Sequence, residues 1–443
     1  MKTFKIGGIH PSENKFSAQQ KIQVAPLPTQ AVVMLGQCLG APSKPLVEKG
    51  DAVKVGTLIG EPNGFVSTSV HSPVSGKVAK IDDAIDASGY KKQAVFIDVE
   101  GDEWEAGIDT STTLVKEITA TKEEILKKIA ELGIVGLGGA TFPTHIKLSP
   151  PPGKVADVLI INAVECEPYL TADHQLMMEK AEEILIGVKI LMKAIGVNRA
   201  IIGIETNKPD AIALMSRIAI QYSEIEICPL KVQYPQGGEK QLIDATIGRQ
   251  VPSGTLPIEV GAVVQNVGTA YAVYEAIQKN KPLIERVISV TGKSVKKPSN
   301  FMARIGIPLS MLMDEAGGLP EDTGKIIGGG PMMGKALSTL DVPMTKGSSG
   351  LLIMPSLEAQ RGKMNNCIRC TKCVSVCPMG IQPFLLMNLS EQEISDWATA
   401  EKEHVMDCIE CGSCSYTCPS NRPLLDYIRL GKGKVGAIIR SRK

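Results

Sequence analysis

The chain has 443 residues, more than one hydrophobic core normally holds, which predicts three or four domains. Its formal net charge is +1, from 48 basic and 47 acidic residues, and only 4% of the residues are aromatic. These values argue against a nucleic-acid-binding protein, which needs a broad basic surface or aromatic stacking platforms. The most apolar long segment, 184–197, is short and interrupted by Lys189 and Lys193, so no direct membrane span is expected.

The first recognisable unit runs from about residue 30 to residue 99. Short apolar runs alternate with glycine turns in 44–60, and the same pattern returns in 71–81, as is typical of short strands in a small barrel. This pattern resembles the barrel-sandwich fold of lipoyl and biotinyl carriers. Such carriers need a lysine at an exposed hairpin tip, whereas here the tip falls at Gly64-Phe65. We therefore expect a docking or structural domain rather than a swinging arm.

From Thr121 onwards, helical and strand-like segments alternate. Thr121 and Glu124 form a possible capping box at the start of a helix. Apolar segments with the length of buried strands follow at 158–161, 200–204 and 224–227. Such alternation predicts a mostly parallel sheet covered by helices, which binds its ligands at the carboxyl ends of the strands.

A glycine-rich stretch is the first polar interruption of this unit: Gly136-Leu-Gly138-Gly139-Ala-Thr-Phe142-Pro-Thr-His-Ile-Lys147. Clustered glycines let backbone N–H groups approach a phosphate or a flat ring closely, and Lys147 adds a positive charge for phosphate. The stretch is neither G-x-G-x-x-G nor a P-loop. Taken alone, a glycine turn before a helix is more often only a turn.

Two further polar stretches complete the candidate site. Asn162-Ala-Val-Glu165-Cys166-Glu167 directly follows the first predicted strand, where acids and an amide can bind the hydroxyls of a ribose or ribityl chain. The alternative is a helix N-terminal turn whose acids complement the helix dipole. The third stretch, Tyr234-Pro-Gln-Gly-Gly-Glu-Lys-Gln, is another glycine pair with an acid, and alone it would be an ordinary loop.

A further unit spans roughly residues 285–355. Segment 286–292 has the pattern of a strand and turn, 309–317 that of a short helix, and 326–334 that of a strand and glycine turn. Gly292-Lys-Ser is not a Walker motif, because Val287 occupies the upstream position that requires glycine. We expect this unit to pack against the others or to dock a partner.

Two copies of one cysteine pattern, Cys-x2-Cys-x2-Cys-x3-Cys-Pro, lie in the last quarter of the chain. In this pattern three thiolates hold one [4Fe–4S] cube, and the fourth, before proline, ligates the other cube. The predicted ligands of cluster 1 are Cys367, Cys370, Cys373 and Cys418. The predicted ligands of cluster 2 are Cys408, Cys411, Cys414 and Cys377. Structural zinc sites are the alternative, but zinc usually takes two separate ligand pairs, and disulfides are less expected still.

The three polar stretches in this order, followed by Gln265-Asn266-Val-Gly-Thr269, resemble the flavin- and NADH-binding subunit of respiratory complex I. With the barrel unit and the opening Lys5-Ile-Gly-Gly-Ile-His-Pro, nearly the whole chain resembles the RnfC family. The resemblance implies a multidomain α+β and α/β protein. Its expected domains are an N-terminal region with a barrel-sandwich hybrid (1–116), a Rossmann-like FMN/NADH-binding domain (117–284), a soluble-ligand-binding β-grasp domain (285–355) and an α-helical bacterial-ferredoxin-type 2[4Fe–4S] domain (356–443).

The resemblance also implies cofactor-binding residues. By position, the complex I pattern places non-covalent FMN against Gly136, Gly138, Gly139, Lys147, Asn162, Glu165, Cys166, Tyr234, Gly237, Gly238, Gln265, Asn266 and Thr269. It places the nicotinamide nucleotide near Phe142, with Glu167 and Glu239 close to its ribose or carboxamide. Leu137, Val164 and Gly238 stand where complex I has Arg, Asp and Glu, so each substitution removes a polar partner.

The implied function is electron transfer between two [4Fe–4S] clusters, FMN and NAD(H) in a membrane-bound, ion-translocating ferredoxin:NAD+ oxidoreductase. No side chain is expected to act as an acid–base catalyst. The expected partners are other subunits of the complex, including a ferredoxin-linked iron–sulfur subunit, at the cytoplasmic face of the membrane. The alternatives are a flavin and iron–sulfur reductase of cobalamin, and a non-catalytic electron-wiring subunit that has lost its flavin.

Overall fold

The computed structural model describes residues 1–391 and 396–442. The strands of the N-terminal region are β1 (Gln23–Val24), β2 (Gln30–Met34), β3 (Lys44–Pro45), β4 (Ala52–Val53), β5 (Leu58–Glu61), β6 (Val70–His71), β7 (Gly76–Ile85) and β8 (Lys91–Val99). Strands β2 to β8 form two antiparallel sheets, ordered β2-β8-β7-β4 and β3-β5-β6. Alternate residues such as Ala31, Val33, Val95 and Ile97 point inwards and close a small apolar core between the sheets. The predicted barrel sandwich is confirmed.

The first 20 residues, which we call the N-terminal arm, lie outside the two barrel sheets. Lys2 forms a β-bridge with Leu230 of the second unit. Ile9 and Tyr234 exchange two backbone N–H···O bonds of 2.9 Å. On its other side the arm meets the C-terminal unit, where the Gly8 amide donates to the Val376 carbonyl over 2.9 Å. The arm therefore joins two units that are far apart in sequence.

The second unit is a parallel sheet covered by helices, as predicted. Its elements are α1 (Lys122–Glu131), α2 (Thr144–Lys147), β9 (Val158–Asn162), α3 (Ala172–Glu179), α4 (Ala181–Ile195), β10 (Ala200–Glu205), α5 (Pro209–Ala219), β11 (Ile225–Leu230), α6 (Glu239–Ile247), a 3-10 turn (Pro257–Val260), β12 (Ala262–Asn266) and α7 (Val267–Lys279). The strand order is β11-β10-β9-β12, with every pair parallel. The capping box of Thr121 and Glu124 is present at the start of α1.

Because β12 lies on the opposite side of β9 from β10, the strand order reverses between β9 and β12. In open parallel sheets, ligands bind in the crevice at the carboxyl ends of the strands at such a reversal. Asn162 ends β9, Asn266 ends β12, and the two residues are paired in register. The fold therefore brings the second polar stretch and the stretch 265–269 to one edge of the sheet.

The third unit is built around a mixed sheet. Its elements are β13 (Glu285–Thr291), β14 (Ser299–Arg304), α8 (Leu309–Glu315), β15 (Thr323–Gly328), β16 (Lys335–Ala336) and β17 (Gly350–Pro355). The order β1-β14-β13-β17-β15-β16 includes the short strand β1, which follows the N-terminal arm and pairs parallel with β14. The segment after the arm thus extends this sheet rather than the barrel.

The fourth unit is helical and carries both cysteine runs. Its elements are α9 (Ser356–Ala359), α10 (Lys372–Ser375), α11 (Pro383–Glu391), α12 (Trp397–Lys402), a 3-10 turn (Val405–Asp407), α13 (Ser413–Thr417) and α14 (Leu424–Ser441). Leu386, Met387, Leu424, Ile428 and Val435 form its apolar core. Among the helices of the described residues, none has the length and apolar composition needed to span a bilayer. The domain limits given above stay a prediction.

Candidate functional site

The glycine-rich loop closes over the reversal point of the parallel sheet. The Gly136 amide donates to the Phe142 carbonyl over 2.9 Å, and the Leu137 amide donates to Thr269 Oγ1 over 2.9 Å. A Cβ at Gly138 would lie 2.8 Å from the Asn266 side-chain nitrogen, so only glycine allows this close approach. A Cβ at Gly139 would meet no heavy atom of the described chain within 4 Å, so the exposed tip of the loop is open to a ligand.

The second and third polar stretches are held together by direct hydrogen bonds. Asn162 Nδ2 donates to the Gly237 carbonyl over 2.8 Å. The Gly237 amide donates in turn to Cys166 Sγ over 3.3 Å. Gly238 is the N-cap residue of α6, and Glu239 is the first residue of that helix. The structure therefore brings together stretches that are about seventy residues apart in the sequence.

The Glu165 carboxylate shapes its own loop. It accepts hydrogen bonds from the amides of Asp173 (2.8 Å) and His174 (3.2 Å) at the start of α3, while the Glu165 backbone is left-handed, with φ +46°. Asp173 Oδ2 accepts a 2.8 Å hydrogen bond from Asn266 Nδ2. Burial raises the pKa of Asp173 to about 6, and the neighbouring Glu165 carboxylate adds to the increase. The Glu165 carboxylate therefore lies at the N-terminus of a helix, as the alternative interpretation of this stretch predicts, and it also lies at the candidate site.

Two predicted acids have partners within the chain. Glu239 forms a 2.6 Å ion pair with Lys147, so the predicted phosphate-binding cation carries a counter-charge in this structure. The Glu167 carboxylate accepts hydrogen bonds from the amides of Met332 (3.1 Å) and Met333 (2.8 Å) in the third unit. Burial raises the pKa of Glu167 to about 7, while the two amides oppose the increase. Glu167 therefore lies at the junction with the β-grasp sheet.

Sequence reasoning missed two lysines that bind the carbonyls of residues 164–170, which we call the acid loop. Lys15 Nζ, from the N-terminal arm, donates to the carbonyls of Glu165 (2.9 Å), Glu167 (2.9 Å) and Leu170 (2.7 Å). Lys208, which is 2% exposed, donates to the Val164 carbonyl over 2.7 Å. Burial, and secondarily the charge of Lys208, lowers the pKa of Lys15 to about 8. No local sequence pattern marks their contacts with this loop, because these partners are backbone carbonyls of distant residues.

The thiols predicted for cluster 2 surround one apolar cavity. Cys377, Cys408, Cys411 and Cys414 all line it, together with Ile381, Leu425 and Ile428. Burial raises the pKa of the Cys414 thiol, and the nearby thiols of Cys408, Cys411 and Cys377 raise it further. An apolar cavity lined by four cysteines fits a [4Fe–4S] cluster, which is held by four cysteine thiolates.

The thiols predicted for cluster 1 lie near one another at the surface. Burial raises the pKa of the Cys373 thiol, and the thiols of Cys418, Cys367 and Cys370 lie near enough to raise it further. Cys367 and Cys370 are exposed, and Cys373 and Cys418 are partly buried. Within residues 1–391 and 396–442, no three His, Cys, Asp or Glu side chains lie close enough together to hold a single metal ion, so neither set of thiols forms a single-ion site.

A direct contact joins the cluster 2 loop to the candidate flavin site. Tyr234, which is 2% exposed, donates from its hydroxyl to the Cys411 carbonyl over 2.8 Å. Tyr234 and Cys411 pack in one apolar cluster with Ile9 of the N-terminal arm, and Cys166 packs against that cluster. The cysteine module therefore lies against the loops that follow the parallel strands.

The residues at the sheet edge fit a flavin nucleotide. Gln265, one residue before the carboxyl end of β12, is 3% exposed, and its Nε2 has no hydrogen-bond partner within the described part of the chain. The open tip at Gly139 leaves space for a flat or phosphorylated group. An unsatisfied buried donor near the end of β12, together with an open glycine loop, is expected where a polar cofactor supplies the missing acceptor.

The substitutions relative to complex I are accommodated by apolar packing. Leu137 and Val164 are both buried in hydrophobic clusters. The Leu137 carbonyl accepts a 3.2 Å hydrogen bond from Arg286 Nη1 of the third unit, and the same nitrogen donates to the Lys346 carbonyl over 2.6 Å. Burial lowers the pKa of Arg286 to about 10. A buried guanidinium therefore holds the glycine loop from behind.

Four family models match consecutive parts of the chain. They are an RnfC barrel sandwich hybrid domain (2–102), a Nuo51 FMN-binding domain (129–275), an SLBB domain (287–336) and a 4Fe-4S dicluster domain (365–422). These matches confirm the predicted order of domain types. They also confirm FMN and two [4Fe–4S] clusters as the cofactors that such domains bind.

Two relatives extend the similarity over the full chain. One is a component of the proton-translocating ferredoxin:NAD(+) oxidoreductase complex of Clostridium ljungdahlii, 45% identical over 436 residues, covering 98% of this chain and 94% of that protein. The chain belongs to the RnfC family. Within the RnfC family, the corresponding component of the Na(+)-translocating ferredoxin:NAD(+) oxidoreductase complex of Acetobacterium woodii is 44% identical, covering 98% and 97%. The predicted family is confirmed.

Solved structures show a more distant likeness. A chain of an NAD+-reducing [NiFe]-hydrogenase in the H2-reduced state has a TM-score of 0.52 and 18% identity, covering 73% of this chain. The RnfC-family chain spans 65% of that hydrogenase chain's length. At this identity the likeness concerns the fold alone.

Proposed function

We propose that this protein is the electron-transfer subunit of a membrane-bound, ion-translocating ferredoxin:NAD+ oxidoreductase. The names of the two relatives support the reaction, and their description as one component of a complex implies its other subunits as partners. A ferredoxin-linked iron–sulfur subunit is the expected electron partner, and the protein works peripherally at the cytoplasmic face of the membrane. The observation that carries the proposal is the contact between Tyr234 and the Cys411 loop, which joins the flavin loops to a cluster-binding run.

The cofactor assignments follow the resemblance of these loops to the complex I subunit. FMN is assigned to the glycine loop, to Asn162, Cys166 and Gly237, and to the ends of β9 and β12. The nicotinamide nucleotide is assigned to Phe142, with Glu167 and Glu239 close to its ribose or carboxamide. When bound, the clusters carry single electrons and FMN exchanges between one- and two-electron states, which allows hydride transfer to NAD+.

The chain's own residues act by positioning. The Leu137 amide and Thr269 fix the glycine loop, and Lys15 and Lys208 fix the carbonyls of the acid loop. Tyr234 and the N-terminal arm hold the cluster 2 run against these loops. A rigid arrangement of this kind keeps the donor and acceptor centres at a constant separation without any acid–base group.

Anaerobic reconstitution of the purified chain tests the proposal. We expect two [4Fe–4S] clusters by iron and sulfide analysis, one FMN per chain, and bleaching of the flavin by NADH. NADH should then reduce cluster 2, as seen by electron paramagnetic resonance. Failure to take up FMN would leave only the wiring role, and FMN uptake with cobalamin reduction and no association with the membrane complex would favour the cobalamin reductase.

A further inference from the structure

The segment that carries cluster 1 has an unusual charge. Residues 359–390 contain no Asp or Glu but four basic residues: Arg361, Lys363, Arg369 and Lys372. All four lie within residues 361–372, the segment around Cys367 and Cys370. The chain as a whole is nearly neutral, with a formal charge of +1. The positive charge here is therefore a local property of the cluster 1 run.

The same segment is solvent-exposed over its whole length. Every residue from 361 to 372 is exposed, including the two cysteines. Ile368, between the cysteines, is 67% exposed, and Met364 is 47% exposed. Apolar side chains at the centre of a basic surface are typical of a contact that excludes water at its middle and is charged at its rim. We call residues 361–372 the cluster 1 surface.

Most of this positive charge has no counter-charge within the chain. Arg361 pairs with Asp426, but Lys363, Arg369 and Lys372 form no ion pair with any residue of 1–391 or 396–442. The cluster 2 run differs, because its Glu410 pairs with Arg429 (3.0 Å) and Lys432 (2.7 Å) of α14. The two runs have the same cysteine spacing, so cluster ligation alone does not require the unpaired cations.

We propose that the cluster 1 surface is the docking site of an acidic iron–sulfur electron-transfer protein, an inference that rests on the proposed electron-transfer function. The partner's carboxylates meet Lys363, Arg369 and Lys372, and Ile368 and Met364 form the apolar centre. The exposed thiols Cys367 and Cys370 place cluster 1 where a partner's redox centre can approach it. An anionic lipid surface also attracts cations, but it supplies no electrons to a cluster.

Charge complementarity of this kind acts mainly on the association rate. Steering by a local field raises association rates by roughly 10- to 1,000-fold at low salt. The effect falls as salt screens charges, with a Debye length of about 8 Å at physiological ionic strength. We therefore expect the association rate constant to depend on salt in the wild type and to lose this dependence when the charges of the surface are neutralised.

The test uses the chain loaded with FMN and both clusters, and a reduced, acidic 2[4Fe–4S] ferredoxin as the probe. The variant carries Lys363→Gln, Arg369→Gln and Lys372→Gln. The matched control carries Lys44→Gln, Lys49→Gln and Lys92→Gln, which remove the same charge from exposed positions of the barrel region. Stopped-flow spectroscopy measures the second-order rate of cluster reduction between about 20 mM and about 500 mM NaCl.

For the wild type and the control we expect a rate that falls steeply with salt. For the triple variant we expect a rate about 10-fold lower at low salt and nearly independent of salt. Equal rates for variant and wild type at low salt, or an equal loss in the control, would overturn the proposal. Binding to phosphatidylglycerol vesicles that the triple variant loses, with an unchanged ferredoxin rate, would also overturn it and assign the surface to lipid.

Two measurements distinguish failure of this proposal from loss of cluster 1 in the variant and from failure of the proposed function. Iron and sulfide content shows whether the triple variant retains cluster 1; if it does not, the single variant Lys363→Gln, four residues before Cys367, takes its place. NADH reduction of the flavin and cluster 2 should be the same in wild type and variant. If NADH reduces neither in the wild type, the proposed function fails, whereas the salt dependence of the ferredoxin reaction still tests the surface.

Discussion

The two cysteine runs have the same spacing and opposite surroundings. In the run that begins at Cys408, the thiols of Cys411 and Cys414 are buried in an apolar cavity, and the loop touches Tyr234 beside the candidate flavin site. In the run that begins at Cys367, the first two thiols are exposed on a basic surface. Identical cysteine patterns therefore lie in different surroundings. This difference supports the proposed relay, in which cluster 2 lies next to the flavin loops and cluster 1 next to a partner.

The largest test of this difference removes one ligand from each run. We expect Cys411→Ala to lower the rate of ferredoxin-linked NAD+ reduction roughly 100-fold, equivalent to about 2.7 kcal/mol of barrier. We expect Cys370→Ala to block exchange with ferredoxin while NADH still reduces cluster 2. Electron paramagnetic resonance of the NADH-treated proteins measures this, with Cys228→Ser, a buried cysteine outside both runs, as the control. If NADH reduced cluster 1 in Cys411→Ala as fast as in the wild type, the assigned order would be wrong.

The second test loosens only the contact of the N-terminal arm with Cys377, the ligand of cluster 2 that comes from the first run. A Cβ at Gly7 would lie 2.6 Å from the backbone of Val376 and Cys377, so we expect Gly7→Ala to push the arm away from cluster 2. Gly89→Ala is the matched control, because both glycines have left-handed φ angles (+73° and +81°) but a Cβ at Gly89 would meet nothing within 4 Å in the described chain. Overpacking should cost Gly7→Ala about 1–3 kcal/mol beyond the backbone strain that both variants share.

Thermal bleaching of the iron–sulfur absorbance measures this cost. The lower midpoint should belong to Gly7→Ala, and cluster 2 should be released before cluster 1. Equal midpoints for the two glycine variants would show that the arm does not secure cluster 2.

The smallest effect concerns pH. The Met332 and Met333 amides, which Glu167 binds, belong to a loop whose Met332 carbonyl lies close to Gly412 of the cluster 2 run. Because burial raises the pKa of Glu167 from 4.5 to about 7, the folded protein holds this proton more tightly than the unfolded chain does. The resulting stability is fully present below pH 4.5 and is lost as the pH rises through 7.

Glu167→Gln should remove this pH dependence. Between about pH 6 and about pH 8, the free energy of unfolding should decline less steeply in Glu167→Gln than in the wild type. Urea denaturation at several pH values, monitored by flavin release and by circular dichroism, measures the two slopes. Parallel slopes would mean that Glu167 does not titrate at the junction. The loop that carries Met332 and Met333 would then make no pH-dependent contribution to the surroundings of the run that begins at Cys408.

Much of the site could be predicted from local patterns. Cysteine spacing assigned eight thiols to two sets, because ligands of one cluster must come from one tight loop and the cysteine before proline from the other run. The apolar segments fixed β9, β10 and β11, and the parallel sheet brought the ends of β9 and β12 together. These features depend on short-range spacing and on the general geometry of parallel sheets.

The rest depends on contacts between distant residues. The sequence predicts Glu167 as a ligand-binding acid, but it does not predict that the carboxylate also accepts hydrogen bonds from amides 165 and 166 residues away. Lys15 has no sequence signal because a backbone carbonyl can belong to any residue type. The only local hint of the arm's role is the pair Gly7-Gly8, since adjacent glycines permit the close backbone approach to Cys377.

The N-terminal arm also sets an order for biosynthesis. A ribosome makes residues 2–9 well before Tyr234, and Val376 emerges later still. The arm must wait unpaired while the intervening domains fold as units, because its contacts close loops of very long range. Docking of the arm is then among the last steps of maturation. It can occur only after the segment with Val376 and the cluster 2 ligand Cys377 has been synthesised.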